Sequence, residues 1–183
     1  AALALTASGA FAAAEKYTLD ASHSQILFSY NHLGFSTTWG MFSGFEGEIM
    51  LDQGDPARSS VTVSMPVTSM FTGWEQRDKH FMSPDFFDAR DGDLVTFVST
   101  DVEVTGTDTA VITGDLSMNG ITKPVSLDAV LNQMGVNPLN QKDWVGFNAT
   151  TTVLRSDFDL SAYAPAVSDQ VQIQISIEAQ KAE

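Results

Sequence analysis

A chain of 183 residues, 43% of them hydrophobic, is long enough for one domain with a full core and short for two. Its 23 acidic against 9 basic groups give a formal charge of -14, which repels phosphate backbones and anionic headgroups and so argues against nucleic acid or a polybasic membrane patch. With no cysteine, disulfides, zinc-thiolate sites and thiol catalysis are excluded.

Residues 1–14 carry no charge and end in Ala12-Ala13-Ala14, the small side chains that a signal peptidase reads. They are expected to be the remnant of a secretory signal, cut between Ala14 and Glu15, with residues 15–183 as the exported domain. That expectation places the mature protein in the periplasm. The segment is too short to span a bilayer.

From Tyr17 the hydrophobic period is two, which predicts strands with one buried face. Ile26, Phe28 and Tyr30 form one such face, and Val61, Val63, Met65 and Val67 the next. The spacing Gly40, Gly44, Gly47 reads as a strand bend or bulge rather than a phosphate loop. Trp74 to Met82 breaks the alternation and predicts a helix of about two turns, running into the adjacent rings Phe86 and Phe87. Two neighbouring residues cannot both face the same side of a strand. One ring is therefore expected in the core or pocket and the other against the helix, as a lid.

Later, Val125, Leu127, Ala129 and Leu131 share a face, as do Val145, Phe147, Ala149, Thr151 and Val153. Val171, Ile173, Ile175 and Ile177 alternate strictly with polar residues. Asn119-Gly120 offers a tight hairpin as one option, and the segment Ser161 to Ser168, with Pro165, is irregular. Eight or more antiparallel strands with one short helix predict an all-β, lipocalin-like barrel of about eight strands; a sandwich is the rival.

The usual catalytic constellations are missing. His23, His32 and His80 share no short metal-ligand spacing, no Gly-x-Ser-x-Gly elbow exists, and Asp85, Asp88, Asp91 and Asp93 read as solvated loop charge. No catalytic or metal residue and no cofactor is assigned.

The ordered series His23-Ser24, Phe28, His32-Leu33-Gly34, Gly40-Met41-Phe42, Phe45-Glu46-Gly47, Asp52, Arg77-Asp78, His80, Asp85-Phe86-Phe87-Asp88, Phe97, Ser99-Thr100, Gly114-Asp115-Leu116, Gly120 to Val125 and Arg155-Ser156-Asp157-Phe158 resembles the YceI-like family of exported lipid-binding proteins. Each motif is weak alone; their order from about Tyr17 to the C-terminus is specific. The resemblance implies a lipocalin-like barrel whose apolar pore holds a polyisoprenoid or similar amphiphile, such as an isoprenoid quinone, a polyprenol or a fatty amide, and no established catalysis. The chain departs from the family pattern at Asp159, where Gly is common, and at Phe81, where Leu is common.

The residues themselves support an apolar slot, since twelve Phe and seven Met give bulky, adaptable lining, although composition leaves a filled core equally open. By strand phase the candidate ligand-binding residues are Phe28, Tyr30, His32, Phe42, Met65, Phe97 and Phe147. Trp74, Arg77, Phe81, Phe86 and Phe87 would form the cap. A pyrophosphate head would need Arg77, Lys79, Arg90 and Arg155 to converge; a neutral quinone or amide head avoids that need and is the expected one. The remaining alternatives are an enzyme using His32 or His80 as general base and a solid-core structural or stress-response module. Homodimer formation and transient membrane contact complete the expected partners.

Overall fold

The computed structural model describes residues 13–183, so the expected signal remnant, residues 1–12 of it, lies outside the described residues. Ten strands follow in order: β1 (Glu15–Leu19), β2 (Gln25–His32), β3 (Ser36–Phe42), β4 (Glu46–Leu51), β5 (Ser60–Pro66), β6 (Leu94–Val104), β7 (Thr109–Met118), β8 (Ile121–Val136), β9 (Asp143–Leu154) and β10 (Gln170–Lys181). The helix α1 (Glu75–Phe81) lies between β5 and β6.

All strand pairs are antiparallel, and the sheet order β1-β4-β5-β6-β7-β8-β9-β10 closes on itself through a β1–β10 pairing. Eight strands thus make a closed barrel, and the sandwich is set aside. The hairpin β2–β3 is an addition to that ring. Residues 172–176 of β10 pair with β2, whereas residues 179–181 pair with β1, so one long strand serves both neighbours.

The alternation does what a half-buried sheet needs. On β10 the residues Val171, Ile173, Ile175 and Ile177 turn to the interior while the intervening glutamines face water. Asn119 and Gly120 both adopt positive φ, 52° and 73°, and join Met118 directly to Ile121 in a two-residue turn.

Two glycines that sit within strands make room for rings. A Cβ on Gly40 would lie 2.2 Å from Phe28 Cζ across β2–β3, and one on Gly114 would lie 2.4 Å from Phe97 Cζ across β6–β7. Gly40 is therefore strand, not bend, because the Phe28 ring covers the position a side chain would take. Gly114→Ala is expected to destabilise by about 1–3 kcal/mol through overpacking against the Phe97 ring and the Val98 carbonyl, read from the urea midpoint, and to cost less when made in a Phe97→Ala background than in the parent chain. An unchanged midpoint in Gly114→Ala would refute the close approach.

Candidate functional site

The strand connections alternate between the two ends of the barrel, and the ends differ. At one end the long segments 67–93 and 155–169 fold across the strand termini. Phe81, Phe86 and Phe87 pack there against the buried cluster that contains Met65, Val95, Phe42 and Val153. Phe81 meets Tyr30 and Phe86 edge-on, with ring centroids 6.2 and 5.1 Å apart, and Phe86 in turn meets His80 and Tyr163. This end is plugged by its own side chains.

Above the plug runs a cavity of about 510 Å³. Its walls are the inward faces of the later strands: Val125, Leu127, Ala129 and Leu131 from β8, Phe147, Ala149, Thr151 and Val153 from β9, and Ile173, Ile175 and Ile177 from β10. Its polar lining comes mainly from the opposite end of the barrel, where Gln53, Ser59, Ser60 and the β6–β7 turn Gly106, Thr107, Asp108 and Thr109 form the rim. Between Ala110 and Met118, both of which line it, β7 spans about 27 Å of strand, so the void is a slot along the barrel.

Of the residues expected from strand phase, Phe42, Met65, Phe97 and Phe147 line this slot. The others lie elsewhere. Phe28 is buried against Gly40 and Phe42, and Tyr30 is buried beside Phe81. His32 is exposed on the bridge to Val167. Phe81, Phe86 and Phe87 belong to the plug, and Trp74 is exposed with the Arg77 guanidinium 5.7 Å from its ring. The expected lid is thus a floor: the helix and Phe-Phe pair close the end away from the rim, because both long connections fold over that end.

The cations considered for a charged head are engaged at the plugged end or on the surface. Arg77 donates to Thr72 Oγ1 and to the Thr72 carbonyl, while Asp78 accepts from Thr72 N and Oγ1. Arg77 and Asp78 therefore pin the start of α1 through Thr72 rather than by a direct ion pair. Lys79 pairs with Glu75 at 2.6 Å and Arg90 lies 3.7 Å from Asp88.

Arg155 spends its guanidinium on four backbone carbonyls, those of Leu160, Ala162, Val167 and Ser168. Burial pushes its pKa down, though an arginine keeps its charge regardless. From the sequence this residue reads only as a possible anion ligand. The irregular loop that follows, including the cis Ala164–Pro165 bond, is what it binds.

Asp159, where the family pattern favours Gly, takes the left-handed conformation at φ 56°, which explains the usual glycine. Beside it, Ser156 N and Oγ donate to the two carboxylate oxygens of Asp169 at 2.8 and 2.6 Å. The Ser156 hydroxyl bond is the main cause holding the Asp169 carboxyl below its ordinary 3.8. A depressed carboxyl stabilises the fold above the unfolded value and loses that contribution as pH falls through the folded pKa. Ser156→Ala is expected to raise the Asp169 titration midpoint in carboxyl NMR; an unmoved midpoint would contradict the assignment.

At the rim, Asp52 is 1% exposed, and its Oδ1 accepts from Gly54 N and Asp55 N, which shapes the loop leading to Ser59. Arg58 Nε lies 3.6 Å from Asp52 Oδ2. Asp20, His23 and Glu178 bring three donor atoms within 4.8 Å of one another on the surface. There His23 Nδ1 and Asp20 Oδ2 already satisfy each other at 2.5 Å, which raises the histidine pKa, while burial, which pushes the Asp20 carboxyl up, is outweighed by hydrogen bonds from Ser22 Oγ and then His23 that lower it.

A model of the YceI-like domain matches residues 17–179. The chain belongs to the YceI-like family. A UPF0312 protein of Pseudomonas putida is 38% identical over 177 residues, 97% of this chain and 91% of the relative. Protein YceI of Escherichia coli O157:H7 is 37% identical over 178 residues, 97% of this chain and 92% of the relative. The crystal structure of the Campylobacter jejuni YceI protein superposes with a TM-score of 0.75 at 28% identity, covering 84% of this chain and 90% of that one. A polyisoprenoid-binding domain from Saccharophagus degradans, implicated in plant cell wall breakdown, shares the fold at a TM-score of 0.70 and 13% identity, covering 91% of this chain and 98% of that one. The YceI-like barrel read from the motifs is therefore the fold this chain adopts.

Proposed function

We propose that the chain is an exported carrier or store for a long, neutral, isoprenoid-type amphiphile held in the barrel slot. The observation that carries this reading is the 510 Å³ cavity, walled by aliphatic and aromatic side chains and rimmed at one end by serine, threonine, glutamine and Asp108. A volume of that order suits a ligand. Burying roughly 20 methylene equivalents at about 0.8 kcal/mol each nominally contributes about 16 kcal/mol, and ordering a floppy tail takes back a large part. Tail length then sets affinity, and the head group tunes it.

The rim disfavours an anionic head. Among the described residues no Lys or Arg lines the cavity, while Asp108 does, and the nearby Arg58 is turned to Asp52, so a pyrophosphate would meet a carboxylate in the lining itself. A quinone or amide head needs only hydrogen-bond partners such as Ser59, Thr107 and Gln53. Binding is favoured over catalysis because His32 and His80, the candidate general bases, both lie outside the slot. The Saccharophagus degradans domain, a polyisoprenoid binder of the same fold, supports the isoprenoid class. Export to the periplasm rests on the uncharged, alanine-rich residues 1–14.

Native mass spectrometry of protein purified from its own host tests the proposal. The expected result is a population carrying one long-chain apolar molecule, with delipidated protein taking up an added isoprenoid quinone or polyprenol. Ligand-free spectra together with no uptake of either would overturn it.

A further inference from the structure

On a chain of charge -14, residues 129–141 contain no Asp, Glu, Lys or Arg. They form the end of β8 and most of the turn into β9. The β7 ladder on β8 stops at the pair Thr109 and Val130, so residues 132–136 run on past the β6–β7 turn for about 16 Å of strand. Met134, on this overhang, lines the slot and is also 42% exposed, as Val104 at the end of β6 lines it and is 48% exposed. Side chains that belong both to the cavity wall and to the surface mark the mouth. Val136, 58% exposed, lies two residues beyond Met134 and shares its face.

Leu139, in the turn beyond, is 92% exposed. That turn is tied down. Asn137 N donates to the Lys142 carbonyl, Gln141 N to the Asn137 carbonyl and Leu139 N to Asn137 Oδ1, at 2.8, 2.9 and 2.8 Å, while Asn140 Nδ2 reaches Gln180 Oε1 on β10 at 3.2 Å. The leucine is therefore presented to the outside by an ordered turn. Where charge resumes at the base of the hairpin, the cations are matched: Lys142 pairs with Glu183 at 2.9 Å and Lys181 with Glu15 at 2.6 Å.

We propose that this overhang is a lip that touches a neutral lipid bilayer, with Leu139 and Val136 entering the headgroup layer, so that a guest passes between membrane and slot without crossing water. The inference rests on the carrier reading of the slot, whose guest is a molecule that partitions into membranes. Two further features select a bilayer as the occupant. The apolar lining of the slot continues onto the lip through Met134 and Val136, and the uncharged run meets headgroups where the acidic remainder of the surface would be repelled by anionic ones. A few apolar side chains fall far short of the roughly 800 Å² per partner that a stable protein interface buries, yet they suffice for a weak, reversible foothold in lipid.

Transfer of an isoprenoid quinone from phosphatidylcholine vesicles to the delipidated full chain tests this, beside uptake of the same quinone from detergent micelles. Contact transfer has a rate that rises with vesicle concentration, whereas release through water does not. The rise is the expected result. Leu139→Asp, alone or with Val136→Asn, is expected to slow vesicle transfer roughly tenfold. Micelle uptake and circular dichroism should be unchanged, since neither residue lines the slot. Normal micelle uptake with a vesicle rate that ignores vesicle concentration, or that both variants leave unmoved, would overturn the lip alone. No uptake from either source would remove the carrier reading and the lip with it. A dimer in sedimentation velocity that Leu139→Asp dissolves would assign the lip to a second copy and overturn the proposal equally.

Discussion

Ala129→Phe combined with Ala149→Phe is expected to weaken uptake of a long-chain quinone or polyprenol strongly while leaving the barrel folded. Ala129 and Ala149 are register partners on adjacent strands β8 and β9, and both line the slot. Their small side chains keep the passage open between walls of Leu127, Leu131 and Phe147. Two added rings would enter space that is empty of side-chain atoms, so the overpacking cost of a filled core is largely avoided. The melting temperature should stay within a few degrees or rise, as cavity filling commonly does. Uptake should fall roughly 100-fold, which corresponds to about 2.8 kcal/mol of lost binding. Val130→Phe is the control, since Val130 lies between these positions in sequence and faces water. A double variant that folds and still takes up ligand would remove the slot as the binding site.

How far the chain could be read before its structure follows from which physics is local. Alternation is local, and it placed nearly every wall residue of β8, β9 and β10 on the correct face, because a pleated strand leaves no other choice. The register shift between Leu131 and Gln133 was not legible: one extra residue flips the phase, which is why Met134 rather than Gln133 lines the slot. β3 and β4 were obscured by Gly40 and Gly47, whose low strand propensity hides the ring of Phe28 and the backbone of β5 pressing on them. Both facts are tertiary.

Which end of the barrel is open was the least legible feature, and the aromatic pair Phe86-Phe87 suggested the wrong one. A signal did exist. In an up-and-down barrel the connections alternate between ends, and the two longest, 67–93 and 155–169, both fall at the same end. Long connections carrying their own apolar residues tend to fold inward and fill. Short ones, such as 105–108 between β6 and β7, leave a mouth. Chain length between strands therefore carried the polarity that residue type alone did not.

The plugged end depends on Arg155 more than its place on the surface side of the core suggests. Its four carbonyl partners, Leu160, Ala162, Val167 and Ser168, belong to an irregular loop that has no strand ladder to satisfy them. The loop carries Leu160 into the core at 4% exposure and follows Phe158, which is 1% exposed. Arg155→Ala would leave several carbonyls without a donor and free the loop, for an expected loss of about 3–5 kcal/mol. For a domain of this size that lowers the melting temperature by about 10 °C. Arg155→Lys should recover only part of the loss, because an ammonium has three donors on a single nitrogen and cannot span carbonyls that the planar fork reaches from three. Since the loop lies at the end away from the rim, ligand uptake per folded molecule should be unchanged at low temperature. Melting of Arg155→Ala within 2 °C of the parent chain, about 1 kcal/mol or less, would show that water serves those carbonyls as well as the arginine does.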